Sequence, residues 1–117
     1  MRQAPTLALL LAAALPAAAE PPAAGRYDAQ LCVSLDAAAP SCGPADAQVL
    51  RGNRVLVRVS DIVYRLKLNS SQAEVVLMHG AMQIDEFVAN YAWTESALEF
   101  VDADKRTRYE LRLSATR

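Results

Sequence analysis

The stretch VVLMHGAMQI, residues 75–84, decides how the rest of the chain is read. It contains the single histidine, His79, and two of the three methionines, Met78 and Met82. These residue types can be soft-metal ligands, or they can be core filling around a turn. Local secondary structure separates the two meanings, because it sets which way each side chain points.

Read as a helix, Ala73, Leu77, Gly80, Ile84, Phe87 and Tyr91 recur at alternating spacings of four and three, and Ser71 with Glu74 forms a capping box. Met78 and Met82 then lie one turn apart with His79 beside them. Read as strands, a turn at His79-Gly80 opposes Met78 to Ala81, Leu77 to Met82, Val76 to Gln83 and Val75 to Ile84. That hairpin has one wholly apolar face, Val75, Leu77, Met82 and Ile84, while Met78 points away and His79 sits on the turn.

Three observations favour strands. A helix would carry Gly80 at its centre, costing about 1 kcal/mol against Ala. The text continues into FVANYAWT, residues 87–94, where Phe87, Ala89, Tyr91 and Trp93 alternate with Val88, Asn90 and Ala92. A meander with strands on both sides also accepts two more. The phase change between Ile84 and Phe87 then requires a bulge at Asp85-Glu86.

Outward from this stretch the same period of two recurs. YDAQLCVSL, residues 27–35, sets Tyr27, Ala29, Leu31, Val33 and Leu35 against Asp28, Gln30, Cys32 and Ser34. DAAAPSCGP, residues 36–44, reads as a loop. AQVLRGNRVLVRV, residues 47–59, reads as two strands meeting at Gly52-Asn53, and DIVYRLKL alternates again before NSSQ breaks it. SALEFVDADKRTRYELRL, residues 96–113, is a hairpin turning at Asp102 to Lys105. The expected fold is all-β and mainly antiparallel: a small meander barrel or sandwich of about eight strands with one disulfide. The alternative is α+β with a helix at about 71–93.

The N-terminus has the layout of a secretory signal peptide: Arg2, an apolar run from Leu7 to Leu15, and Ala17-Ala18-Ala19 before Glu20. Residues 1–19 are read as that signal, 20–25 as a flexible linker and 26–117 as a single β-domain. The apolar run is shorter than the roughly 20 residues a membrane span needs, so no span is expected. Cleavage after Ala19 would leave 98 of the 117 residues, enough for one domain, in the periplasm or outside the cell. In that oxidising setting Cys32 and Cys42 read as a disulfide, which over so short a loop contributes about 3 kcal/mol.

Without Arg2 the formal charge is near −2, which provides no reason to bind nucleic acid or anionic lipid. Arg51, Arg54, Arg58, Arg65, Lys67, Lys105, Arg106, Arg108 and Arg112 are mostly interleaved with apolar residues and read as a solvated strand face. One histidine, no Gly-rich phosphate loop and no nucleophile elbow nominate no catalytic residue and no cofactor. The carboxylates Asp85-Glu86 and Asp102/Asp104 read as solvated acids of turns or bulges. Tyr64, Phe87, Tyr91, Trp93, Phe100 and Tyr109 read as core rather than as a ligand cavity.

Two functions remain. Thioether and imidazole suit Cu(I), so Met78, His79 and Met82, with Trp93 as a cover, form a soft-metal candidate. Small periplasmic copper chaperones built as five-stranded barrels use one His, two Met and a Trp. Met-His-x-x-Met, with the Trp eleven residues later, departs from their order and spacing. In size, signal and meander the chain resembles the periplasmic inhibitors of C-type lysozyme. Their Ser-Gly-x-x-Tyr loop has no counterpart here; the nearest text is NSSQAEV (69–75) and DADKRTRY (102–109), so no functional residue is carried over. The leading expectation is a non-catalytic, inhibitor-like binding module of the bacterial envelope, directed at a protein or small ligand.

Overall fold

Each alternating run is a strand. The computed structural model describes residues 20–116; the expected signal peptide, residues 1–19, lies outside the described residues. The strands are β1 (Gly25–Leu35), β2 (Ser41–Leu50), β3 (Arg54–Val59), β4 (Ile62–Leu68), β5 (Gln72–His79), β6 (Met82–Trp93), β7 (Ala97–Asp102) and β8 (Thr107–Thr116). Each pairs antiparallel with the next, and β8 returns to β1, closing an eight-stranded barrel with no free edge. The rival helix at about 71–93 is thereby replaced by β5 and β6. No helix among the described residues is long and apolar enough to cross a membrane.

The period of two sends alternate side chains into the barrel. Val55 and Val57 on β3, Leu66 on β4, Val75 on β5, Leu98 and Phe100 on β7 and Leu111 on β8 are all within 2 % of full burial. Alanines at 45, 47, 73 and 89 leave room for the bulk of Phe100 and Tyr109, so large and small residues interdigitate across the lumen. Tyr109 is held among three rings: it stacks on Phe100 at 4.7 Å and Phe87 at 5.8 Å, and meets Tyr64 edge-on at 5.9 Å. The barrel has an upper end, with the loops after β1, β3, β5 and β7, and a lower end, where β1 begins and β8 finishes.

The decisive hairpin turns one residue later than its sequence suggests. Gly80-Ala81 is the turn and His79 faces Met82. Gly80 has φ of 61° while Ala81 is not left-handed, which is the type II′ pattern that prefers Gly at the first central position. The register then slips between Leu77 and Met78: Met78 faces Gln83, Leu77 faces Asp85, and Ile84 is the extra residue. A bulge is therefore present, at Ile84 rather than at Asp85-Glu86. Met82 and Ile84, read as core, are 62 % and 48 % exposed.

Two other boundaries differ. Three residues, Arg51 to Asn53, join β2 to β3, because Leu50 pairs with Arg54. Ser41 to Pro44, read as loop, belong to β2 and pair with β1, with Cys42 directly opposite Cys32 and the disulfide formed between them. Pro44 is tolerated because β3 pairs only as far as Asp46, so the N–H that proline lacks would have met no β3 carbonyl.

Candidate functional site

The middle of the barrel is packed with the side chains just described, and cavities open at its lower mouth and on its outer wall.

At the upper rim, the Gly80-Ala81 turn brings His79 and Met82 together as a directly opposed cross-strand pair, a geometry that sets Cβ atoms about 5 Å apart. Met78 sits across the bulge and faces Val63 of β4 on the outer wall. Two of the three proposed soft ligands therefore share a face and the third does not. The His79 Nε2 atom lies 3.9 Å from Asp61 Oδ2, both exposed. Trp93 lies at the far end of β6, near the lower rim, and cannot cover them.

Below the upper rim is a polar group that the sequence reading treats as solvated. Asp102 ends β7 and is 2 % exposed. Its Oδ1 accepts hydrogen bonds from the backbone N–H of Asp104 at 3.1 Å and Lys105 at 3.4 Å, which ties the β7–β8 loop to the strand end. Its Oδ2 has no hydrogen-bond partner among the described residues and faces the Lys105 ammonium at 3.9 Å. Lys105 also donates to Asp85 and lies 5.6 Å above the Phe87 ring. The Lys105 contact holds the Asp85 carboxyl below, and the Lys105 ammonium above, their ordinary pKa ranges. Burial, with lesser contributions from Tyr64, Asp102 and Asp85, pushes Tyr109 up to about 12. These charges close on one another above the aromatic cluster, as a lid on the core.

The outer wall of β3 and β4 is different. Its six outward positions are Arg54, Leu56 and Arg58 on β3 and Val63, Arg65 and Lys67 on β4: four cations, two apolar residues and no acid. Cross-strand neighbours continue the apolar part, since Arg65 faces Val76 and Val63 faces Met78 on β5. Leu56, Val63, Val76 and Met78 are each only half-buried, so together they make an exposed apolar centre with cations around it. Among the described residues, none of Arg54, Arg58, Arg65 and Lys67 takes part in an ion pair or a side-chain hydrogen bond. On the opposite wall the cations are engaged: Arg108 with Glu99 at 3.0 Å and Arg112 with Glu110 at 2.9 Å. A dimple of about 120 Å³ opens beside the patch, lined by Arg26, Gln48, Leu56, Arg58 and Val63 together with Asp46.

This face was missed in the sequence because its cations belong to two strands and its apolar centre to three. The available signal was the matched outward positions of the 54–58 and 63–67 runs, which converge only once the hairpin register is known. At the lower rim, Pro22 lies with Tyr27, Trp93 and Leu113 around a cavity of about 200 Å³, and the Tyr27 hydroxyl donates to the Ala23 carbonyl at 2.6 Å. The segment before β1 thus rests against the barrel end. Compared with known proteins, the chain matches no protein family, no curated protein and no solved structure.

Proposed function

We propose that the chain is an exported, non-catalytic binding module of the bacterial envelope that engages a macromolecular partner with the outer wall of β3 and β4. The observation that carries this reading is the apolar centre Leu56, Val63, Val76 and Met78, bordered by cations without partners among the described residues. An apolar centre with a polar, arginine-bearing rim is the usual anatomy of a protein-binding surface. The packed middle of the barrel supports the same reading by leaving the rims and the outer wall as places to bind. Export is supported by the signal-like N-terminus and by the Cys32–Cys42 disulfide, which is compatible with an oxidising compartment.

The test is a photo-crosslinking scan of the full chain expressed in its native host. The crosslinker is placed outward at Val63 on β4, Val88 on β6, Glu99 on β7 and Gln30 on β1. A discrete adduct from Val63, on the β3–β4 wall, is the expected result. Diffuse labelling from all four positions, or none from any, overturns the reading.

The opposed pair His79 and Met82 favours a second reading, soft-metal binding at the upper rim with two ligands from one face. Anaerobic titration with Cu(I) against a competing chelator tests it. A His79→Ala/Met82→Ala variant that competes as well as the wild type ends it.

A further inference from the structure

Resting on the binding-module reading, we infer that the partner of the β3–β4 wall is an acidic protein, docked through carboxylates that meet Arg54, Arg58, Arg65 and Lys67 and apolar atoms that cover Leu56 and Val63.

The sign of the partner follows from the cations. The whole chain is slightly acidic, with a formal charge of −1, so four cations on six adjoining outward positions are a local concentration of one charge. Cross-strand neighbours lie about 5 Å apart and residues two apart on a strand about 7 Å. Like charges so close repel; Asp46 opposite Arg58 and Glu74 opposite Lys67 relieve this only at the margins, and neither Arg54 nor Arg65 has an acid opposite it. An anionic surface relieves the repulsion on contact, and it also raises the rate of encounter.

The class of partner follows from what lies between and beside the cations. Leu56 faces Arg65 and Val63 faces Arg58, so each apolar residue of the strip is paired with a guanidinium. Covering this mixture requires carboxylate oxygens and aliphatic carbon side by side, which the surface of a protein supplies. A sulfated or phosphorylated polysaccharide, or a nucleic acid, supplies the charge without the carbon. Acids also bound the strip on both sides: Asp46 on β2 is opposite Arg58, and Glu74 on β5 is opposite Lys67. A long polyanion or an anionic bilayer spreading across the wall would meet these carboxylates. A partner whose acids are confined to a width of two strands would not, so the flanking acids select for a short, localised acidic surface.

The experiment extends the crosslinking scan. The Val63 adduct is collected from the wild type and from an Arg58→Glu/Arg65→Glu variant, whose circular dichroism and melting temperature are checked first. Should that variant fail to fold, Arg58→Gln/Arg65→Gln replaces it. The expected result is one protein adduct at Val63, acidic by its own sequence, formed at least tenfold less by the charge variant. The purified pair should separate as salt is raised from 0.05 M to 0.5 M. An adduct to glycan, lipid or nucleic acid, a basic protein adduct, or one insensitive to the charge variant overturns the inference. If the adduct forms only from Val88, Glu99 or Gln30, the chain is still a binding module, but the β3–β4 wall is not its docking face and this inference falls; if the Val63 adduct forms but ignores the charge variant, the docking face stands and this inference alone falls. If no adduct forms from any position, both fall.

Discussion

Asp102 closes β7 with a carboxylate held beneath the β7–β8 loop. Within DADK it looks like ordinary turn chemistry, yet its side chain is buried and serves the loop that follows it. Burying a carboxylate is costly unless it is hydrogen-bonded, and the two backbone amides together with Lys105 offset that cost. Asp102→Ala should therefore destabilise the fold by about 1–3 kcal/mol, and Asp102→Asn, which keeps an acceptor for the amides, by less. Urea unfolding midpoints give both values. Tyr109 offers a second check. Its folded pKa of about 12 lies above the ordinary value of 10.0, so between these values the unfolded chain holds fewer protons than the folded one. The stabilisation is fully present below pH 10 and is lost as pH rises towards 12. Tyr109→Phe should flatten that part of the stability curve, as read from thermal melts across pH 9–12. Neither role was legible in the sequence: the partners of Asp102 are near neighbours but its burial is not written in DADK, and Tyr64, Asp85 and Phe87 reach Tyr109 only in the closed barrel.

Among the elements, two turns at the upper rim make a natural comparison. Ser60 and Gly80 each occupy the first position of a two-residue hairpin turn, with φ of 55° and 61°, and neither Asp61 nor Ala81 is left-handed. The backbone is alike and the residues are not. Positive φ costs a non-glycine residue about 1 kcal/mol, so Ser60→Gly should raise stability by roughly 0.5–1 kcal/mol and Gly80→Ser should lower it by a similar amount. Equal shifts in the same direction would contradict the turn assignment. The same demand for Gly explains why the hairpin was legible and its phase was not. Alternation in VVLMHGAMQI indicates two strands, but the preference of Gly80 for the first turn position moves the turn by one residue. Moving a two-residue turn by one position shifts the pairing by two, so Met82 keeps the face of Leu77 and His79 but is carried past the core to the rim, and only the bulge at Ile84 changes the phase for the rest of β6. Hence Val75 and Leu77 pack against the core as read, whereas Met82, at the rim, and Ile84, in the bulge, are exposed.

For the whole molecule, stability rests on the filled lumen and on one covalent tie. Phe100 is 0 % exposed and stacks on Tyr109, so Phe100→Ala should cost about 3–5 kcal/mol. The Cys32–Cys42 bridge spans ten residues and contributes about 3 kcal/mol by the loop-entropy argument. A domain of this length has only about 5–15 kcal/mol in total. Phe100→Ala should therefore remain folded when oxidised and unfold largely on reduction, as near-ultraviolet circular dichroism with and without reductant would report. Strand number and disulfide were legible in the sequence because period-two patterning and cysteine count are local or compositional. Closure of the barrel and the cationic wall were not. They arise when Arg54, Arg58, Arg65 and Lys67 are set side by side by register, which no single run of residues displays.

The pairing of β8 with β1 has a consequence in time. A polypeptide is made from its N-terminus, so the first strand to emerge must wait for the last, the ten residues Thr107–Thr116, before its second ladder can form. Until then β1 and β7 each present a row of unmatched amides and carbonyls, ready to zip onto a neighbouring chain. A nascent chain that stalls before Thr107 would remain an open ribbon with two adhesive sides, and the speed at which the final strand is delivered decides whether the ribbon closes on itself or onto another copy.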